Sequence, residues 1–96
     1  MPTDERLAAF RSDYSGLTVD RRRRFRRAVE EFRADLASGT FRASLRVKKV
    51  SGFKDIWEMT FAPDGRATFH YGTPTPEFGS PVVWRRVGTH DIFGNP

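Results

Sequence analysis

Residues 56–71 constrain the fold more than any other stretch of this chain. Trp57, Met59 and Phe61 alternate with polar neighbours, and Ala67, Phe69 and Tyr71 do so again after Pro63-Asp64-Gly65. A period of two is the signature of a strand with one apolar face, and a Pro-Asp-Gly turn between two such runs is a hairpin. Residues 82–88 supply a third apolar strand after a Pro-stiffened loop at 72–81. Strands are therefore expected at 55–62, 66–72 and 82–88. An antiparallel sheet with one apolar face needs a second layer to cover it.

The first forty residues provide that layer. Phe25, Ala28, Val29, Phe32 and Leu36 recur at helical spacing. Thr18 is the cap, Asp20 sits in the first turn and Gly39 is the stop, which predicts a helix over 19–37. A shorter helix is expected over 4–14, capped by Thr3, with Leu7, Ala8 and Phe10 near one face and Gly16 ending it. The order is helix, helix, then three strands: an α+β fold, with two N-terminal helices packed on a small antiparallel sheet. Ninety-six residues make one domain, 1–96, with a thin core.

Charge narrows the class of partner. Seventeen basic residues face twelve acidic ones, for a net charge of +5, and fourteen of the seventeen are Arg. The planar guanidinium fork suits phosphate and carboxylate. Arg21, Arg22, Arg23, Arg24, Arg26 and Arg27 fall within one stretch of seven residues. Either they form a solvated face with Arg26–Glu30 and Arg27–Glu31 pairs, or they are a contact surface for phosphate or an acidic partner. There is no Cys, hence no disulfide or thiolate metal site. With only two His and no acidic cluster, neither a metal nor a cofactor is called for. No apolar run approaches a membrane span. The acidic start Met-Pro-Thr-Asp-Glu has no following apolar core, so no signal peptide is expected and the chain reads as cytoplasmic.

Strand alternation collects chemistry on the second face of the sheet. Glu58 and Thr60 oppose the apolar set of the first strand, and Arg66, Thr68 and His70 oppose that of the second. In the third, either Val83, Arg85 and Val87 face inward or Val82, Trp84 and Arg86 do. One Arg then joins Glu58, Arg66 and His70, and His90 follows the strand's end. Such a set can cleave RNA without a metal. Glu or His accepts the 2′-hydroxyl proton, His protonates the leaving 5′-oxygen, and Arg steadies the pentacovalent phosphate. Plainer readings stand beside these: a cross-strand Glu58–Arg66 ion pair, a half-buried His70, and a His90 that caps the last strand.

The residues Leu45-Arg-Val-Lys-Lys49, Ser51-Gly52, Ile56-Trp-Glu58, Arg66-Ala-Thr-Phe69 and Arg86-Val-Gly-Thr-His-Asp-Ile-Phe93 follow one another in the order seen in a known family. The pattern resembles the RelE/ParE superfamily of bacterial toxin–antitoxin systems. It covers about residues 18–93, and its terminal block is closest to the ribonuclease branch of RelE-like and YafQ-like toxins. The resemblance implies a RelE-like fold and a ribosome-dependent mRNA endonuclease held inactive by a cognate antitoxin. It further implies a catalytic phosphate-binding role for Arg66 and a general acid or base at His90. Phe93 would lie near the mRNA base or in the active-site wall, and Arg46, Lys48 and Lys49 would hold RNA. Lys54 in the same connection and Arg85 and Arg86 on the last strand complete the expected RNA-binding set.

The chain departs from the pattern in three places. Many members open with a β-strand, whereas residues 1–16 look helical here, so that strand is expected to be missing or replaced. The 73–81 loop is longer than usual. The His that precedes the hairpin in YafQ-like members has no match, since Glu58 and Met59 stand near its position. Two other readings are a ParE-like inhibitor of DNA gyrase and a catalytically inactive relative that is only bound by antitoxin. ParE-like members generally lack the His-bearing end, so His90 argues against the first.

Overall fold

The computed structural model describes residues 4–77 and 79–96. In chain order the elements are β1 (Asp4–Arg6), α1 (Ala8–Ser15), α2 (Val19–Ser38), β2 (Lys48–Lys49), β3 (Trp57–Ala62), β4 (Gly65–Tyr71) and β5 (Val82–Gly88). Two 3₁₀ turns, Ala43–Leu45 and His90–Gly94, precede β2 and follow β5. The strands form one sheet in the order β1-β5-β4-β3-β2. All neighbours are antiparallel except β1 and β5, which run parallel. Both helices lie against one face, so the fold is α+β as the pattern implied.

Helix α2 forms where the caps place it. The Thr18 hydroxyl accepts from the Arg21 N–H at 3.2 Å. Gly39, at φ 88°, closes the other end by donating to the carbonyls of Asp35 and Leu36. That left-handed conformation is available to glycine without a Cβ clash. Phe25, Ala28, Val29 and Phe32 are buried. They meet Phe10 from α1 and Met59, Ala67, Phe69, Val82, Trp84 and Val87 from the sheet. Trp84 is the hub: ring centroids of Phe25, Phe32 and Phe69 lie 5.5, 5.3 and 5.3 Å from it. Offset and edge-on contacts of this kind add to the burial of the rings themselves.

The N-terminal segment corrects the expectation of a helix over 4–14. Residues 4–6 are a strand and α1 begins only at Ala8, with Leu7 at its N-cap position. The anticipated cap, Thr3, lies outside the described residues. The cause is tertiary: Val82, Val83 and Trp84 are all buried, and β1 pairs with that edge in parallel register. An unpaired edge beside so apolar a strand would leave backbone groups unsatisfied, and this outweighs local helix preference. The opening strand is thus present, and the sheet is mixed rather than purely antiparallel. It has five strands instead of three, because Lys48 and Lys49 of the connection also pair, with Glu58 and Trp57.

The hairpin turn is Pro63-Asp64, and Ala62 pairs with Gly65. A Cβ on Gly65 would come within 2.7 Å of the Phe61 ring, so glycine is required there for close approach. On β5 the third-strand ambiguity resolves through a bulge. Thr68 faces Arg86 and Phe69 faces Trp84, leaving Arg85 as the extra residue. Val82, Trp84 and Val87 can then all reach the core although their spacing is not two throughout.

Arg86 turns toward α1. Its Nε and Nη2 donate to the Asp13 carboxylate at 2.6 and 3.2 Å, and the Val87 N–H donates to it at 3.2 Å. The pairing with Asp13 raises the Arg86 pKa further above its ordinary value, against the opposing effect of burial. Asp13 thereby takes over the edge of β5 where β1 stops. Asp13→Ala takes the acceptor from Arg86 Nε and Nη2 and from the Val87 N–H, and the pair is only about a quarter exposed. A loss of about 2 kcal/mol is expected, as for hydrogen bonds to charged groups. It should read as a lower urea midpoint with an unchanged slope; an unmoved midpoint would remove this contact from the account.

Candidate active site

The polar face of the sheet is not open along its length. After β5 the chain turns back over it: Ile92 is buried, and a Cβ on Gly88 would stand 3.1 Å from its Cγ2. Arg85 Nε donates to the Pro96 carbonyl and Arg86 Nη1 to that of Asn95, which hold the tail down. Thr68, on the same face, is fully buried, and its Oγ1 has no partner among the described residues. Beside β2, β3 and the terminal 3₁₀ turn lies a cleft of about 310 Å³.

Six expected residues line this cleft: Glu58, Arg66, His90, Phe93, Arg46 and Lys48. Each is put there by a local rule. Lys48 is paired with Glu58 and Lys49 with Trp57, so alternation sends Lys48 to the cleft and Lys49 to the other side. Lys49 Nζ accordingly sits 5.5 Å from the centroid of the Trp57 ring. Arg66 is paired with Thr60, two residues along β3 from Glu58, so the two are diagonal neighbours on one face. They form no ion pair. Arg66 instead folds its Nη1 onto the carbonyls of Gly65, Ala62 and Pro63 at 3.0, 3.3 and 3.4 Å. These contacts fix the guanidinium at the hairpin, and among the described residues its charge has no carboxylate partner.

His90 and Phe93 come from the 3₁₀ turn, where residues three apart eclipse. Their rings meet edge to face with centroids 4.9 Å apart. The cap of this turn is Thr89, whose hydroxyl accepts from the Asp91 N–H at 3.3 Å. The imidazole is therefore not the capping group; it is exposed and makes no hydrogen bond among the described residues. Arg46 reaches the cleft from a left-handed backbone, φ 48°, at the end of the first 3₁₀ turn. That conformation costs a non-glycine residue about 1–2 kcal/mol. With Lys48 and Arg66 it sets three cations against the single carboxylate of Glu58. The balance suits a phosphodiester and a base beside it.

The other expected site residues lie elsewhere. His70 Nδ1 is 3.0 Å from Arg85 Nη1, away from the cleft. Arg86 is engaged by Asp13. Lys54 is exposed in the turn after β2 and does not line this cleft. Thr60, Val50 and Ser51 complete the lining. Thr60 was signalled by its place on the Glu58 face and Ser51 only by the Ser51-Gly52 turn of the family pattern; nothing in the sequence marked Val50 as a site residue. On α2, neither Arg26–Glu30 nor Arg27–Glu31 pairs. Arg26 donates to the Tyr14 hydroxyl at 3.0 Å, and Arg42 holds both Glu31 and Asp35.

Burial pushes the His70 pKa below its ordinary value of 6.5, the Arg85 charge adds to this, and Glu5 opposes it. The unfolded chain therefore takes up this proton as the pH falls through 6.5, before the folded chain does. The contribution of His70 to stability is complete above that pH and is lost as the solution is acidified below it. Asp35, held below its usual 3.8 by its hydrogen bonds from Arg42, acts in a separate and lower window. Urea midpoints at about pH 7.5 and 5.5 should differ less for His70→Gln than for the parent. Parallel losses would show that another group controls this range.

Among the described residues no group of three or more His, Asp or Glu could hold a metal ion, and no helix is long and apolar enough to cross a membrane. No protein-family model and no curated protein matches this chain. Solved structures do. The RelB–RelE antitoxin–toxin complex from Methanococcus jannaschii aligns with a TM-score of 0.65 at 16% identity, covering 95% of each chain. The E. coli DinJ–YafQ complex gives 0.65 at 15% identity, over 96% of this chain and 97% of that one. A copper-bound mutant toxin from Helicobacter pylori gives 0.66 at 14% identity, over 95% and 97%. Two helices on a five-stranded mixed sheet, matched over nearly the whole length of each neighbour, give this chain the fold of the RelE- and YafQ-type toxins.

Proposed function

We propose that this chain is the toxin of a toxin–antitoxin pair and acts as a metal-independent mRNA endonuclease on the ribosome, in the cytoplasm. The observation that carries this reading is the single cleft shared by Glu58, Arg66 and His90 with Arg46, Lys48 and Phe93. Glu58 takes the proton from a ribose 2′-hydroxyl, whose oxygen attacks the adjacent phosphorus. Arg66 and the neighbouring cations balance the charge that builds on the phosphoryl oxygens. His90 gives a proton to the departing 5′-oxygen. The products are a 2′,3′-cyclic phosphate and a 5′-hydroxyl end, and no atom is left over. Phe93 offers a ring face for a base, a contact that tolerates any base because each has a π-face. Glu58 rather than His70 is assigned the base role because it lines the cleft.

A cognate antitoxin with an acidic segment fits the same surface by charge. Induction of the chain without such a partner should arrest translation and generate new 5′-hydroxyl mRNA ends on ribosomes. Unchanged translation with no new ends would contradict the proposal.

A further inference from the structure

A second cleft, of about 680 Å³, adjoins the first, and Arg46, Thr60 and Arg66 line both. Its far wall is α2, through Arg24 and Arg27. These lie three residues apart and so share a helix face. The one acidic side chain lining this cleft, Glu31, is bound to Arg42 at 2.9 Å. Arg24 has only an exposed pair with Asp20, the kind that contributes little. The side chains of Arg27 and Arg46 make no hydrogen bond or ion pair among the described residues. Guanidinium groups thus continue from Arg66 through Arg46 and Arg27, neither held by a carboxylate among the described residues, to Arg24 with its exposed pair to Asp20.

We propose that this groove holds the sugar-phosphate backbone of the same RNA strand where it leaves the cleft, with Arg27 as its principal phosphate contact and Arg24 as a second. The inference rests on the RNA-cleavage reading above and extends it to residues on α2. A strand whose phosphate is held at Arg66 must pass out of the cleft, and the exit bounded by Arg66 and Arg46 opens into this groove. Backbone contacts of this type position a strand without reading its sequence. The groove therefore sets affinity and direction, not base preference.

The test uses two 2′-O-methyl RNA oligomers, which lack the attacking hydroxyl, of about four and about twelve nucleotides. Affinity is measured against salt for the parent chain, Arg27→Ala and, as a control in α1, Arg11→Ala. The parent should bind the longer oligomer with the steeper salt dependence. Arg27→Ala should reduce the slope of log K against log salt by about 0.7 for the longer oligomer alone, the value for one single-strand phosphate contact. Arg11→Ala should change neither. An Arg27-independent slope, or an equal loss for both lengths, overturns this proposal while leaving the cleft reading in place. Failure of the parent to bind either oligomer removes both. Should polyglutamate show the Arg27-dependent slope while the longer RNA does not, the groove takes an acidic protein segment and the proposal is wrong.

Discussion

Arg66→Ala should slow RNA cleavage by about 10²–10³, the effect of removing one preorganised charge from a transition state. The guanidinium is fixed by three hairpin carbonyls and has no carboxylate partner among the described residues, so its charge is available to a phosphate without reorganisation. The same geometry predicts a small change in stability. Arg66 is partly exposed, and its side chain is not part of the core cluster. Its backbone pairing with Thr60 does not depend on the side chain. Surface substitutions of this kind usually stay within about 0.5 kcal/mol. Single-turnover rates and melting temperature measured on one preparation separate the two effects. Full activity in the variant would remove Arg66 from the mechanism, and a collapsed melting temperature would show its role to be structural.

His90→Gln should cost about 10²–10⁴ in rate, through proton transfer rather than binding. Gln keeps a polar side chain of similar reach but cannot give up a proton to an alkoxide. Stability should be nearly unaffected. Thr89 and not His90 caps the terminal turn, and among the described residues the ring makes only the edge contact with Phe93. Binding of RNA and of an acidic antitoxin segment should survive, because Arg46, Lys48 and Arg66 are untouched. Growth inhibition on induction and melting temperature of the same variant decide the matter. A variant that is destabilised yet still toxic would return His90 to a structural role.

The elements whose pattern is local were legible in the sequence. Helix α2 was expected over 19–37 and runs Val19–Ser38, because Thr18, Gly39 and the Phe25–Phe32 spacing each report a backbone preference that no distant contact opposes. The hairpin followed from alternation and Pro63-Asp64. The strand at residues 4–6 was not legible, since Asp-Glu-Arg has no strand pattern and is drawn extended by the buried edge of β5. The Arg85–Arg86 ambiguity had the same source: alternation assumes an unbroken period, and the bulge breaks it. Within the candidate site, Glu58, Arg66 and His90 were named from face and chain order, and they meet in one cleft. His70 shares the predicted face but not the cleft. The tail at residues 90–96 folds back across that face, and Arg85 engages the ring instead. Which part of a polar face stays open is a tertiary fact, invisible to alternation.

Cleavage at the Glu58–Arg66–His90 cleft by attack of the neighbouring 2′-hydroxyl, as proposed, leaves a chemical signature on the cut ends. The most direct measurement is the end chemistry of an mRNA incubated with purified chain and programmed ribosomes, with Arg66→Ala in parallel. A 2′,3′-cyclic phosphate and a 5′-hydroxyl are expected at each cut, with no loss on chelation of divalent cations from a separately purified, pre-formed substrate complex and nearly complete loss in the variant. Cuts bearing a 5′-phosphate, or parental ends at parental rates from Arg66→Ala, would contradict it.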